Sequence, residues 1–313
     1  MSGPRFLITG AAMIDNLHFA GGEQVNGIMG GCGIYSLAGA SLFYDGCTAL
    51  VGVGKDFSQY YGEWIKNNGI DTRGFLVRDE HTAQTVLTYH SDGSYDSRNI
   101  YSGKPGMHSK ALELGMEDLF PLLRGVEALY LYSDIDGVYG DAYVLKRHFG
   151  YKIMWEAPNW IGPDYLPVLL RTVDKCDYWS INRKEARSVF SVDTDDRAIG
   201  GIRTIGKPCY FRTGREGAYM VMPDEVFKIP CAVIPGTPEG GGDLSTGCGN
   251  CSTAAVMAGL ADGKNPLTAG IMGSVAAGYN AMQYGPHRDL GRETRREAEK
   301  IVSTMLAQYM KGQ

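Results

Sequence analysis

Short apolar runs recur along the chain, each halted by glycine or a polar residue and most followed by a longer stretch with helical spacing. Residues 5–9 read as a strand that stops at Gly10, residues 34–44 as a helix rich in Ala and Leu, and residues 48–53 as a strand that stops at Gly54. Residues 57–68 are amphipathic, and Asn68-Gly69 marks their end, because glycine takes the left-handed conformation that closes a helix. Residues 128–132, 152–155, 178–181 and 209–212 read as further buried strands with helical segments between most of them. Strands that are apolar on both faces need helices on both sides. The alternation therefore predicts an α/β fold, a three-layer sandwich with a mostly parallel central sheet.

Two stretches break the pattern. Residues 16–29 are polar and contain glycine, and residues 82–101 alternate around Ser91-Asp92-Gly93, a hairpin signal. They predict a small β-sheet lid on the main sheet; the bland alternative is an edge hairpin without a role. No internal repeat or low-complexity linker is visible, so residues 1–313 are expected to form a single domain, with the lid from about 16–29 and 82–101. The exposed edges of such a lid favour pairing with a second copy, a homodimer.

Composition narrows the classes. With 313 residues, 44% of them hydrophobic, the chain can bury a large core. The net charge of −5 and the lack of any Lys/Arg-rich run argue against a nucleic-acid partner. The longest apolar stretches are near strand length, which predicts no membrane partner, and the start, Met-Ser-Gly-Pro-Arg, carries no signal-peptide pattern. Seven scattered cysteines suit reduced thiols, and with the missing signal pattern the expected compartment is the cytoplasm. Cys248 and Cys251 form a C-x-x-C without the second pair that zinc would need. Their place at a helix start predicts lowered thiol pKa values and ready alkylation.

Residues 241–255 carry the most chemistry. A glycine run enters Ser-Thr-Gly-Cys-Gly-Asn, which feeds a small-residue helix. The amides of Gly247, Cys248 and Gly249 converge there, and the helix behind them presents unpaired N–H groups and the positive end of its dipole. Such a turn suits phosphate, or the charge that develops in phosphoryl transfer. Asn250 stands at the helix mouth, where a catalytic group is expected.

Three further segments join it in order: Gly30-Gly31-Cys32-Gly33 before the Ala-rich helix, Gly52-Val53-Gly54-Lys55-Asp56-Phe57 after the next strand, and Asn182-Arg183-Lys184-Glu185 after a later one. As an ordered set they resemble the ribokinase-like (PfkB) family of carbohydrate kinases over essentially the whole chain. The resemblance implies a ribokinase-like sandwich whose lid closes over a sugar-like substrate, with ATP as donor, Mg²⁺, and often a monovalent cation such as K⁺. It makes Asp15 the group that grips substrate hydroxyls, with Gly30, Gly31 and Gly33 allowing close backbone approach; for these the bland reading is a cap and a structural turn. Asn159, in a Pro-Asn turn, and Tyr35, where ribokinase has Asn, fall on the substrate side. Asn182 and Glu185 match an N-x-x-E motif that organises water around Mg²⁺, so Glu185 is a metal residue through water; the alternative is a capping box. Thr213, Gly214 and Gly217 resemble the nucleotide-side loop, with Arg212 where the family often has Thr, and Asn280 is a candidate for the adenine pocket.

One departure dominates. The family's turn ends Gly-Ala-Gly-Asp, with the aspartate as general base, and here Asn250 follows Gly249. An amide orients a hydroxyl but does not take its proton near neutral pH. The resemblance implies phosphorylation of a hydroxyl on a sugar, nucleoside or related polyol. The open readings are an Asp changed to Asn, a slow kinase with substrate-assisted proton loss, Asp243 swinging in as base, or a catalytically inactive sugar- or nucleotide-binding paralogue with a regulatory role.

Overall fold

The computed structural model describes residues 3–91, 95–101, 104–105, 112–133, 139–159, 161–235 and 246–311. β1 (Phe6–Thr9) leads into β2 (Met13–His18) and β3 (Gln24–Gly30), then α1 (Cys32–Phe43), β4 (Cys47–Gly54), α2 (Phe57–Asn68) and β5 (Phe75–Asp79). β6 (Gln84–Tyr89), β7 (Tyr95–Tyr101), β8 (Lys104–Pro105), α3 (Met116–Leu119), β9 (Ala128–Tyr132), α4 (Gly140–Phe149) and β10 (Lys152–Glu156) follow. The chain continues through α5 (Leu166–Lys175), β11 (Tyr178–Asn182), α6 (Arg183–Val189), α7 (Asp195–Thr204), β12 (Cys209–Arg212), β13 (Ala218–Val221) and β14 (Val226–Ile229). It closes with α8 (Cys248–Ala261), α9 (Pro266–Asn280) and α10 (Arg292–Lys311).

Alternation along the buried strands builds two apolar layers. Phe6 and Ile8 of β1 face one layer and Leu7 the other; on β9, Ala128 and Tyr130 oppose Leu129 and Leu131 in the same way. Helices α1, α2, α8, α9 and α10 cover the first layer, and α4, α5, α6 and α7 the second. Between them lies a sheet of nine described strands in the order β14-β13-β12-β11-β10-β9-β1-β4-β5, parallel except for the β12–β13 and β13–β14 pairs. A smaller sheet, β3-β2-β6-β7-β8, is antiparallel apart from the β2–β6 pair.

The small sheet is larger than the sequence pattern suggests. It begins at Met13 rather than near residue 16, runs to Gly30, and gains β8 beyond residue 101. Asp15 therefore sits within β2, not in a turn. Opposite Tyr89, Tyr95 pairs antiparallel across the hairpin; Asp92 and Gly93 of the turn lie outside the described residues. Among the described residues no helix is long and apolar enough to cross a membrane.

Parallel strands all end on one side of their sheet, and that edge is where α/β folds place ligands. Here the last residues of β9, β10, β11 and β12 are Tyr132, Glu156, Asn182 and Arg212.

Candidate active site

Gly247 caps α8 with φ 78°, a left-handed conformation that suits glycine. Its carbonyl accepts the first intrahelical bond, from Cys251 N at 2.9 Å, which leaves the preceding amides without partners in the helix. Tyr35 of α1 explains why no side chain fits at 247: a Cβ there would lie 2.2 Å from its ring. A Cβ on Gly249 would lie 2.1 Å from Arg212 Nη1, so the guanidinium rests against the first turn of α8.

Asn250 projects from that turn into a polar network. Its Nδ2 donates to Glu156 Oε1 at 3.1 Å and to the Tyr130 hydroxyl at 3.3 Å. The Tyr130 hydroxyl donates in turn to Glu156 Oε2 at 2.6 Å, and Arg212 Nη1 lies 3.0 Å from Glu156 Oε1. Arg212 Nη2 is 3.9 Å from Glu185 Oε2. Both glutamates are only 3% exposed. Burial pushes the Glu185 carboxyl up to about 7, against the opposing pull of Arg212. The capping box foreseen for α6 is formed, with Asn182 N donating to Glu185 Oε2 at 2.8 Å and Glu185 N to Asn182 Oδ1 at 2.9 Å. Capping and a place at the cavity wall are thus compatible for this pair.

A cavity of about 340 Å³ collects most of the residues singled out above: Asn159, Asn182, Glu185, Arg212, Gly214, Gly217 and Gly247 through Asn250. Thr213 lies in an adjoining depression with Arg183 and Lys184, and its buried Oγ1, like Arg212 Nε, has no hydrogen-bond partner among the described residues. Asn280 sits beneath the turn, donating to Thr246 O at 2.9 Å and to Cys248 Sγ at 3.4 Å. Asp243 lies outside the described residues.

Asp15 is buried and Tyr35 OH donates to its Oδ2 at 3.5 Å. Burial pushes the Asp15 carboxyl up to about 7. Gly30 is obligatory in this packing, since a Cβ would meet Asp15 Oδ2 at 1.9 Å. Gly31 and Gly33 pack on the backbone of Ala11, whose carbonyl accepts from Gly33 N at 3.0 Å. From the small sheet, Tyr89 hydrogen-bonds the Thr246 hydroxyl and stacks on Phe19 at 5.2 Å, which ties this sheet to the turn before α8.

Two sequence expectations need correction or completion. The thiols at the start of α8 are not lowered in pKa: burial pushes Cys248 up to about 11 and raises Cys251 well above the ordinary thiol value. Glu156 and Tyr130 were missed, because Tyr130 lies inside an apolar strand and Glu156 falls just past the strand read as 152–155. The available signal was one charged residue ending an otherwise apolar buried segment, Ile153–Met154–Trp155–Glu156.

A mostly parallel α/β sandwich with a second small sheet, and a strand-end cavity opening on a glycine-capped helix, is the architecture of ribokinase-like proteins. The family model for pfkB family carbohydrate kinases matches residues 7–290, and the chain belongs to that family. A probable sugar kinase from Rhizobium etli superposes with a TM-score of 0.77 at 17% identity, covering 97% of this chain and 100% of that one. Adenosine kinase from Sinorhizobium meliloti gives 0.75 at 18% identity, covering 96% and 99%. A candidate ribokinase II from Escherichia coli in complex with ATP and Mg²⁺ gives 0.71 at 16% identity, covering 96% and 99%. In sequence, an uncharacterised protein of Schizosaccharomyces pombe is 24% identical over 202 residues, which span 61% of this chain and 54% of that protein.

Proposed function

We propose that the chain is an ATP-dependent phosphotransferase that phosphorylates a hydroxyl of a sugar, nucleoside or related polyol. The observation that carries this reading is the convergence of the α8 N-terminus, Arg212, Glu185 and Asn250 on one cavity at the strand ends. Phosphoryl transfer passes through a loose transition state, so positioned donors supply much of its stabilisation. The amides at Gly247–Gly249 and the Arg212 guanidinium are such donors. Asn250 Nδ2 is committed to Glu156 and Tyr130, which leaves Oδ1 to accept a hydrogen bond from a neighbouring substrate hydroxyl. Asp15 grips further substrate hydroxyls, Tyr35 shapes that side, and the small sheet acts as the lid. Thr213 Oγ1 and Arg212 Nε, buried without partners among the described residues, would serve polar atoms of the nucleotide.

The residues fit Mg²⁺ held through water. Glu185 is a buried carboxylate at the cavity wall, and among the described residues no group of three or more His, Cys, Asp or Glu forms an all-protein cage. Bound there, the ion supplies charge neutralisation on the donor phosphates. A monovalent cation such as K⁺, a cytoplasmic location and a homodimer through the lid belong to the same reading.

A second reading, a sugar- or nucleotide-binding protein without turnover, is favoured by the neutral Asn250 and by the pairing of Arg212 with Glu156. ADP release from MgATP against sugars and nucleosides separates the two. Acceptor-dependent release supports the enzyme, and a thermal shift with the same ligands but no release supports the binding protein.

A further inference from the structure

An enzyme that moves a phosphoryl group to a hydroxyl must dispose of a proton, and Asn250 cannot hold it. Resting on the phosphotransferase reading, we propose that Glu156 is the proton acceptor: the catalytic carboxylate stands at the end of β10 instead of at the mouth of α8. Its Oε1 is 3.1 Å from Asn250 Nδ2, it lines the same cavity, and it is buried. The pair is chemically complementary. An amide at 250 donates to Glu156, whereas an aspartate would set two carboxylates about 3 Å apart, where both cannot stay ionised.

The groups facing Glu156 are Tyr130 and Tyr132 from β9, Arg212 from β12, Glu185 from α6 and Cys32 from α1. Arg212 pairs with it at 3.0 Å and also lies against Gly249, where the phosphoryl charge arrives. A γ-phosphate there competes for the guanidinium, which leaves Oε1 with fewer hydrogen-bond donors and a free lone pair. Oε1 then takes the hydroxyl proton as the new O–P bond forms. The bond from the γ-phosphorus to the β–γ bridging oxygen breaks, and ADP leaves with its electron pair. Protonated Glu156 afterwards releases its proton to water.

The test compares ADP release from MgATP with D-ribose, D-fructose, adenosine and inosine for the parent chain, Glu156→Gln, Asn250→Asp and the double variant. Glu156→Gln is expected to lower kcat by about 10²–10⁴, with KM for MgATP and the melting temperature little changed. The double variant, which returns the carboxylate to position 250, is expected to regain at least about tenfold over Glu156→Gln; a purely structural role would not produce that rescue. Asn250→Asp alone, with two adjacent carboxylates, is expected not to exceed the parent at neutral pH. A Glu156→Gln chain within about threefold of the parent kcat overturns the assignment while leaving the kinase reading intact. So does a folded double variant no faster than Glu156→Gln. A parent chain that binds MgATP yet releases no ADP with any of these acceptors refutes the phosphotransferase reading, and the assignment with it.

Discussion

Asp15 shows how much one carboxyl's surroundings decide. Packed under Tyr35 and against Gly30 in a buried strand, it is pushed by desolvation from 3.8 up to about 7. Between those pH values the native protein keeps a proton that the unfolded chain has released. Stability therefore falls as pH rises through this window, and the full cost is present above it. Asp15→Asn carries no such cost and keeps an acceptor for Tyr35. Denaturant melts are expected to show the variant more stable than the parent by on the order of 2–4 kcal/mol at pH 8, with the difference vanishing near pH 4. Equal stability at pH 8 would mean that Asp15 ionises without penalty. The residue's identity is plain in the sequence; its burial is not, because a strand two residues into the small sheet looks like a polar loop.

Helix α8 is positioned by close packing on α1. A Cβ on Gly39 of α1 would lie 2.0 Å from the Cys251 carbonyl oxygen, so the two backbones nearly touch. Gly39→Ala is expected to destabilise the protein by about 1–3 kcal/mol despite alanine's better helix propensity, because a rigid backbone cannot give way. The same substitution displaces the first turn of α8, and calorimetric titration is expected to show weaker MgATP binding. Element positions are largely readable from the pattern: the strands ending at Thr9, Tyr132 and Arg212 all form, and each is bounded by a polar or glycine stop. The small sheet was under-read, since β3 is mostly half-exposed and lacks strict alternation.

At the scale of the molecule, three elements meet at the turn before α8. Tyr35 supports Gly247 from α1, Tyr89 reaches Thr246 from the small sheet, and Asn280 holds the same turn from α9. Ligands bound at such a junction stabilise the whole fold. MgATP at 100 times its Kd is expected to add about 2.7 kcal/mol to unfolding stability, read as a rise in melting temperature. EDTA is expected to reduce that rise and abolish ADP release, with excess Mg²⁺ restoring both; a rise unaffected by EDTA would remove the metal from the nucleotide site.

The sequence by itself determined the layered α/β class and the glycine cap of α8, because periodicity and turn chemistry are local properties, whereas most of the cavity's residues were reached through the family resemblance. Its ordered motifs also pointed to the family. Tertiary structure alone decided what Asn250 faces. Tyr130, Glu156, Arg212 and Asn250 are separated by as many as 120 residues along the chain, and only the parallel alignment of strand ends brings them within hydrogen-bonding distance. It also decided that the thiols of α8 are raised and not lowered in pKa, because burial is a property of packing, and no spacing of residues along a chain encodes it directly.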